Sequence, residues 1–232
     1  MDAKNTNGFQ PFSLARVQIS EKVFFHRVYQ WMAIGLIVTG FVASQVAMNV
    51  PFMQALARGW FYAFVAAEIA IVIWLSYALL KVPTAVAGLG FLVYSILNGV
   101  TLSFVFLVYT GASITTTFFI TAGTFVVVSL FGGLTQIDLS SFRGFFLMSL
   151  IGIILGSVAN LFLKSPFIYW VLTYFGLAVF IGLTAYDTQR LKEIYREGGG
   201  HVEQLAIRGA LNLYLDFINL FIHLLRLFGR RR

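Results

Sequence analysis

The 232-residue sequence predicts an all-α integral membrane protein, folded as a bundle of seven transmembrane helices. Hydrophobic residues make up 59% of the chain and charged residues only 11%, whereas soluble domains carry about 25% charged residues. So few charges cannot cover the surface of a water-soluble protein of this size, and the mean hydropathy is +0.86. The lipid bilayer is therefore the expected environment of most of the chain.

Seven apolar segments have about the 20 residues that a helix needs to cross the bilayer core. In chain order they comprise residues 28–48, 60–80, 84–109, 114–135, 144–163, 167–187 and 206–228. The first contains no charged residue and closes at Asn49 and Pro51, and only Glu68 interrupts the second. Short turns at 81–83 and 111–113 bound the third segment.

Polar stretches separate the remaining segments. Residues 138–143 and 164–166 precede the fifth and sixth segments, and a longer polar connector, 188–203, precedes the seventh. Residues 1–22 are expected to form a polar N-terminal tail in the cytoplasm, and residues 23–232 a single transmembrane domain. We expect no cleavable signal peptide, because no short apolar region is followed by a small-residue cleavage site.

The distribution of lysine and arginine predicts a cytoplasmic N-terminus, because these residues favour the cytoplasmic side of a membrane. One side of the predicted bundle collects most of them: Lys4, Arg16, Lys22, Arg27, Lys81, Arg143, Arg190, Lys192 and Arg196. The other side has only Arg58 and Lys164 before the C-terminus, yet seven crossings also place the arginines at 230–232 there. A re-entrant last segment, which would return the C-terminus to the cytoplasm, is the alternative.

The composition also argues against several functions. The net charge of +7 does not indicate a nucleic-acid partner, because basic residues in so apolar a chain are expected at the membrane surface. Cysteine is absent, which excludes disulfides, thiolate metal sites and cysteine nucleophiles. The sequence offers no Ser–His arrangement and no metal-binding cluster, so we expect neither an enzyme nor a bound cofactor.

Three acidic residues, Glu68, Asp187 and Asp216, fall within the predicted spans. An ionisable side chain inside a membrane costs about 2.5–3.5 kcal/mol on insertion scales, so such residues indicate function. The nearest basic residues, Arg190 and Arg208, lie toward the cytoplasmic ends of their helices. The interior therefore offers oxygen ligands and negative charge, which suit a hard cation or a proton.

The seventh segment carries a polar seam on an otherwise apolar helix. The members of the seam are Arg208, Asn212, Asp216, Asn219 and His223. Their spacing of four, four, three and four residues keeps them on one helical face. Such a helix belongs at the centre of a bundle or beside a water-filled path. The alternative is a seam that only forms hydrogen bonds to neighbouring helices.

Asp187 and Asp216 form the most informative pair of acids. Asp187 closes the sixth predicted span, and Asp216 lies about 15 Å along the seventh, so the two meet if the seventh helix begins inside the cytosol. Two carboxylates in contact cannot both ionise cheaply, and they would share a proton and titrate as a unit. The alternative is that Asp187 is a solvated residue at a helix end.

Three motifs resemble those of the Bax inhibitor-1 family. The end of the sixth span, 180–190, reads Phe-Ile-Gly-Leu-Thr-Ala-Tyr-Asp-Thr-Gln-Arg, and the seventh, 211–221, reads Leu-Asn-Leu-Tyr-Leu-Asp-Phe-Ile-Asn-Leu-Phe. The opening of the first span, 27–32, reads Arg-Val-Tyr-Gln-Trp-Met. Together the similarity covers roughly residues 20 to 229. The short N-terminal tail and the arginine-rich C-terminus look like those of bacterial members, which implies a multi-pass protein of the bacterial inner (plasma) membrane.

The resemblance implies a seven-helix bundle in which the other six helices surround the last, and a pH-sensitive calcium leak. Asp187 and Asp216 would be the paired acids that sense protons, gate a cytosol-facing path and bind the metal ion. Some members lock these acids with an arginine on the second helix, where this chain has Glu68 instead. Glu68 would then be a further site on a cation pathway that also includes three seam residues, Asn212, Asn219 and His223.

Three functions remain open at this stage. The leading hypothesis is a passive calcium or cation leak that closes when the acidic pair holds a proton. A second is a proton-coupled transporter that uses the same acids as a relay. The third is a non-conducting interaction protein that restrains a membrane-bound protease through residues 1–20, a role that some bacterial relatives are thought to have. The expected partners are thus the lipid bilayer, calcium or protons, and in the third case a protease.

Overall fold

The computed structural model describes residues 21–197 and 201–232, and these residues are almost entirely helical. In chain order the helices are α1 (Glu21–Met48), α2 (Val50–Ala55), α3 (Phe61–Ala78), α4 (Thr84–Leu102), α5 (Val105–Val108), α6 (Gly111–Leu134), α7 (Arg143–Leu163), α8 (Pro166–Glu197) and α9 (Val202–Phe228). Within these described residues, seven helical stretches are long and apolar enough to cross a membrane. The predicted seven-helix membrane bundle is confirmed.

The last helix, α9, is the centre of the bundle, as predicted. In its 18-residue apolar stretch 72% of the residues are buried, against 39% or less in every other crossing. It packs against α1, α4, α6 and α8, while α3 lies on α4 and α7 lies on α8. The outer helices face lipid on one side, so their exposed apolar side chains lie in a favourable environment. The central helix α9, in contrast, contacts other helices over most of its surface.

Contacts at its two ends show that α9 runs the full length of the bundle. Near its first turn, Glu203 forms an ion pair with Arg27 of α1 and accepts a hydrogen bond from the Trp31 indole nitrogen at 2.9 Å. Beyond its last turn, the chain pairs with the turn before α6, where Tyr109 and Arg231 form an isolated antiparallel bridge. The C-terminus therefore lies at the opposite end of the bundle from the start of α1, as seven full crossings require.

The second crossing begins with a kink. A single π-helical turn, Leu56–Trp60, follows α2, and within it Gly59 has a φ of 124°. This backbone conformation is open to glycine and strained for other residues, so the chain can change direction there before α3 begins. The 18 residues of α3 extend over about 27 Å, close to the thickness of the hydrocarbon core.

The sixth crossing differs from its prediction. Hydropathy predicts its end at Asp187 and a polar connector at 188–203, but α8 continues to Glu197 and α9 begins at Val202. Hydropathy marks where a helix leaves the apolar core, not where it stops, and the polar residues after Asp187 continue the helix beyond that point. Asp187 is therefore an interior residue of a long helix, and its interpretation as a helix-end residue was wrong.

The predicted N-terminal tail comprises residues 1–22, and residues 1–20 of it lie outside the described residues. Two helix starts differ from the prediction: α1 begins at Glu21, seven residues before the predicted first span, and α2 begins at Val50, ten residues before the predicted second span. The predicted third span is divided into α4, which ends at Leu102, and α5, which ends at Val108. The other boundaries agree to within a few residues. The cytoplasmic placement of the N-terminus stays a prediction.

Candidate ion site between α7, α8 and α9

A cavity of about 730 Å³ opens between α7, α8 and the central helix α9. Apolar side chains of all three helices form much of its wall. Its polar lining consists of Arg143, Ser157, Asp187, Arg190, Asn212, Asp216, Asn219, His223 and Arg226. Four of the five seam residues thus face one cavity, and Arg208 is the seam member that is not part of its lining.

The two aspartates lie on facing helices of this cavity. Asp216 is only 4% exposed and lies about 21 Å along α9 from its first residue. Asp187 is half-buried on α8, close enough to Asp216 for the two carboxyl groups to interact electrostatically. No hydrogen bond joins the two carboxyl groups within residues 21–197 and 201–232. The Oδ2 atom of Asp216 has no hydrogen-bond partner among those residues, although it is buried.

The other seam residues bring further polar atoms to the same wall. Asn219 donates a hydrogen bond to the Leu215 carbonyl at 2.8 Å, so its side-chain oxygen remains as an acceptor. His223 is 5% exposed; its ring lies against the backbone of Gly176 on α8 and is tilted over Phe180, with 5.5 Å between ring centroids. Its Nδ1 atom, like Asp216 Oδ2, has no partner in the described part of the chain.

Arginines line both ends of the cavity. Arg143 begins α7 and Arg190 lies one turn beyond Asp187 on α8, so both belong to the end where α1 starts. Arg190 acts electrostatically on Asp187, yet no salt bridge joins the two side chains in the part of the chain that the structure describes. Arg226 belongs to the opposite end, where it lies over the Tyr169 ring at 5.7 Å from the centroid. The acids thus lie between two positively charged rims.

The cavity gathers oxygen atoms from several side chains. No group of three or more His, Asp or Glu side chains is placed to hold a metal ion within the described residues. The cavity instead offers two carboxylates, two side-chain amides and the hydroxyl of Ser157. Calcium takes six to eight oxygen ligands and accepts carboxylates, amides and water together. Carboxylate and amide oxygens of this kind are the ligands that hard cations prefer.

Glu68 belongs to a different polar network, on the other side of α9. Its carboxylate accepts hydrogen bonds from Thr101 Oγ1 at 2.7 Å and from Asn98 Nδ2 at 3.4 Å. Asn98 Oδ1 in turn accepts from the Tyr214 hydroxyl at 3.0 Å, and that hydroxyl lies 2.6 Å from Thr39 Oγ1. The predicted grouping of Glu68 with the seam residues is thus not observed, because Glu68 does not line their cavity.

The sequence analysis missed several residues of both networks. Arg226 follows His223 by three residues and continues the seam on the same helical face, so the spacing carried a signal for it. Asn98 lies among small and apolar residues of the third segment, and Tyr214 falls among apolar residues of α9. Ser157 follows a run of small and apolar residues with no polar periodicity, and nothing in that segment indicates that it faces the acids.

Comparison with known proteins shows the family of this chain. The family model described as inhibitor of apoptosis-promoting Bax1 matches residues 21–232. The chain belongs to the Bax inhibitor-1 family. It is 44% identical to the inner membrane protein YbhL of Escherichia coli K12 over 95% of this chain and 97% of the relative. Uncharacterized proteins of Rickettsia prowazekii and Borreliella burgdorferi are 39% and 37% identical, over 89% and 90% of this chain and 89% and 92% of their own lengths.

As a Bax inhibitor-1 family protein the chain is a multi-pass membrane protein. Glu68 is the only charged residue of α3. Arg190, which acts electrostatically on Asp187, belongs to the same helix as that aspartate.

Proposed function

We propose that this protein is a pH-sensitive calcium leak of a bacterial inner membrane, in which Asp187 and Asp216 form the gate. One observation supports the proposal above the others. A buried aspartate, Asp216, lines a polar cavity with one carboxyl oxygen that has no hydrogen-bond partner in the described residues. A second aspartate from the neighbouring helix lines the same cavity. A buried carboxyl oxygen without a protein partner is costly, and a proton or a cation is what relieves that cost.

The gate works through the charge of the pair. When one proton is shared, the two carboxyl groups attract each other and hold α8 against α9, which closes the path. When both groups are ionised, they repel each other, the helices part, and the site attracts a cation. Flux therefore increases as the pH rises through the range in which the shared proton is lost. The side-chain oxygens of Asn212 and Asn219 complete the ligand set as the ion passes.

The positive rims constrain where the ion enters. Arg143 and Arg190 lie at the end where α1 starts, so a cation approaching from that end must pass them before it reaches the acids. Repulsion of this kind keeps a leak slow, because it lowers the local cation concentration at the entrance. The orientation of the protein makes this end the cytosolic one, provided that the N-terminus is cytoplasmic as predicted.

Calcium flux into liposomes tests the proposed function. Purified protein is reconstituted with a trapped calcium reporter, and uptake is measured between pH 5 and 8 against protein-free liposomes. We expect protein-dependent uptake that increases with pH and does not saturate at low millimolar calcium. The liposomes contain no other protein, so a partner cannot supply the flux.

Two other outcomes would replace the proposal with one of its competitors. Absence of protein-dependent flux at every pH would point to a non-conducting interaction protein. Proton movement that saturates and requires an added solute would indicate a proton-coupled transporter. Either result contradicts a passive calcium leak.

A further inference from the structure

A second feature of the bundle is an apolar groove between α1 and α6, which the proposed ion pathway does not use. It consists of two cavities of about 540 and 500 Å³. Both are lined by Ala33 and Leu36 of α1 and by Phe217 of the central helix, so they form one groove along the bundle with α9 as its floor. Phe217 is only 3% exposed and packs on Phe118 and Phe125 of α6, so the central helix forms the packed base of the groove.

The groove has one charged residue at one end. Among the residues that line the two cavities, Lys192 of α8 is the only one with a charge. It lies at the end where α1 starts, beside the last turn of α6, and donates a hydrogen bond to the Gly133 carbonyl at 2.5 Å. An ammonium group has three donors, so two remain for a ligand. The cavity at the other end of the groove has no charged lining residue.

The charged half of the groove has about the length of one lipid chain in one leaflet. On α6 this cavity extends from Ala122 to Leu134, about 18 Å along the helix axis, slightly more than one leaflet of the roughly 30 Å hydrocarbon core. A single hydrocarbon chain fits such a slot.

We propose that this groove binds one anionic phospholipid of the leaflet at the α1 end. Its acyl chain lies along Phe217, and its phosphate contacts the Lys192 ammonium. The opposite charges meet at the depth where lipid headgroups begin, and the chain covers the apolar side chains of α1 and α6 that line the groove. Since Phe217 follows Asp216 directly in α9, a bound lipid rests on the helix that carries the buried aspartate. The inference is independent of the proposed calcium leak.

Native mass spectrometry of the purified protein tests this site. The protein is offered equal amounts of phosphatidylglycerol and phosphatidylcholine in detergent, and the retained lipid is counted. We expect one retained lipid per chain, with phosphatidylglycerol preferred. Lys192→Gln lowers that preference by about fivefold, since one lysine near the membrane surface contributes about 1 kcal/mol to binding an anionic lipid. Lys81→Gln, an exposed lysine at the same end but outside the groove, leaves the preference unchanged.

A second pair of variants tests the chain slot without changing charge. Ala33→Trp fills the groove and is expected to abolish retention of both lipids, whereas Ala70→Trp, on an exposed face of α3, retains them. Lipid retention that neither Lys192→Gln nor Ala33→Trp reduces would overturn the proposal. So would a dimer that forms in place of the lipid complex and disappears in Ala33→Trp, because a second copy would then occupy the groove.

Discussion

Asp216→Asn is expected to hold calcium flux at the low-pH level of the wild type throughout pH 5 to 8. Asparagine keeps the shape of the protonated side chain but cannot ionise, so Asp187 never meets a second negative charge and α8 stays against α9. The site also loses one of its two anionic ligands. We expect calcium flux at pH 8 to fall by about tenfold, which corresponds to about 1.4 kcal/mol. This free energy is modest for the interaction of a carboxylate with a cation at close range. The measurement is reporter uptake in proteoliposomes.

Asp138→Asn is the matched control for that variant. Asp138 is exposed before α7, and hydrogen bonds from the Ser140 hydroxyl and amide lower the pKa of this carboxyl group below its ordinary value of 3.8. It is therefore ionised throughout pH 5 to 8, and asparagine can replace it as a helix cap. Its pH profile should match the wild type. A wild-type profile in Asp216→Asn as well would refute the role of the buried aspartate.

Gly132→Ala is expected to destabilise the bundle by about 1–3 kcal/mol, although alanine favours a helix more than glycine does. A Cβ atom at position 132 would lie 2.2 Å from the Ala185 carbonyl oxygen and 2.7 Å from its Cα. Because these are backbone atoms, no side-chain rotation relieves the clash, and α6 must move away from α8. The measurement is thermal unfolding of the purified protein in detergent.

Gly123→Ala on the same helix provides the comparison. A Cβ atom there meets nothing within 4 Å, so helix propensity alone acts and the variant should be as stable as the wild type or about 0.5–1 kcal/mol more stable. Equal unfolding temperatures for the two variants would show that the close approach of α6 and α8 at Gly132 does not contribute to stability. Ala185 precedes Asp187 by two residues, so Gly132→Ala also tests whether α8 is held in place for the gate.

Most of the bundle could be predicted from sequence because the bilayer imposes one dominant constraint. Segments of about 20 apolar residues separated by short polar turns leave few alternatives to spanning helices. The seam on α9 was equally informative, since its spacing predicts one face and four of its members line one cavity. Asn212, Asn219 and His223 therefore lie where the helical period puts them.

The polar network of Glu68 could not be predicted in the same way. α3 is apolar on nearly every side, so its sequence does not indicate which face turns toward α4. The hydrogen bonds of Glu68 to Thr101 and Asn98 depend on that rotation. The continuation of α8 beyond Asp187 could not be predicted either. The residues that follow Asp187 are mostly polar, and a polar sequence in water is as compatible with a helix as with a loop.

The central claim is that Asp187 and Asp216 act as one unit, and a double-variant comparison tests it most directly. Calcium flux at pH 8 is measured for Asp187→Asn, Asp216→Asn and the variant that combines them. If the aspartates form one gate, removing the second after the first has no further effect, and all three variants fall by about the same tenfold. A combined variant that falls by about a hundredfold, the product of two independent losses, would contradict the paired gate.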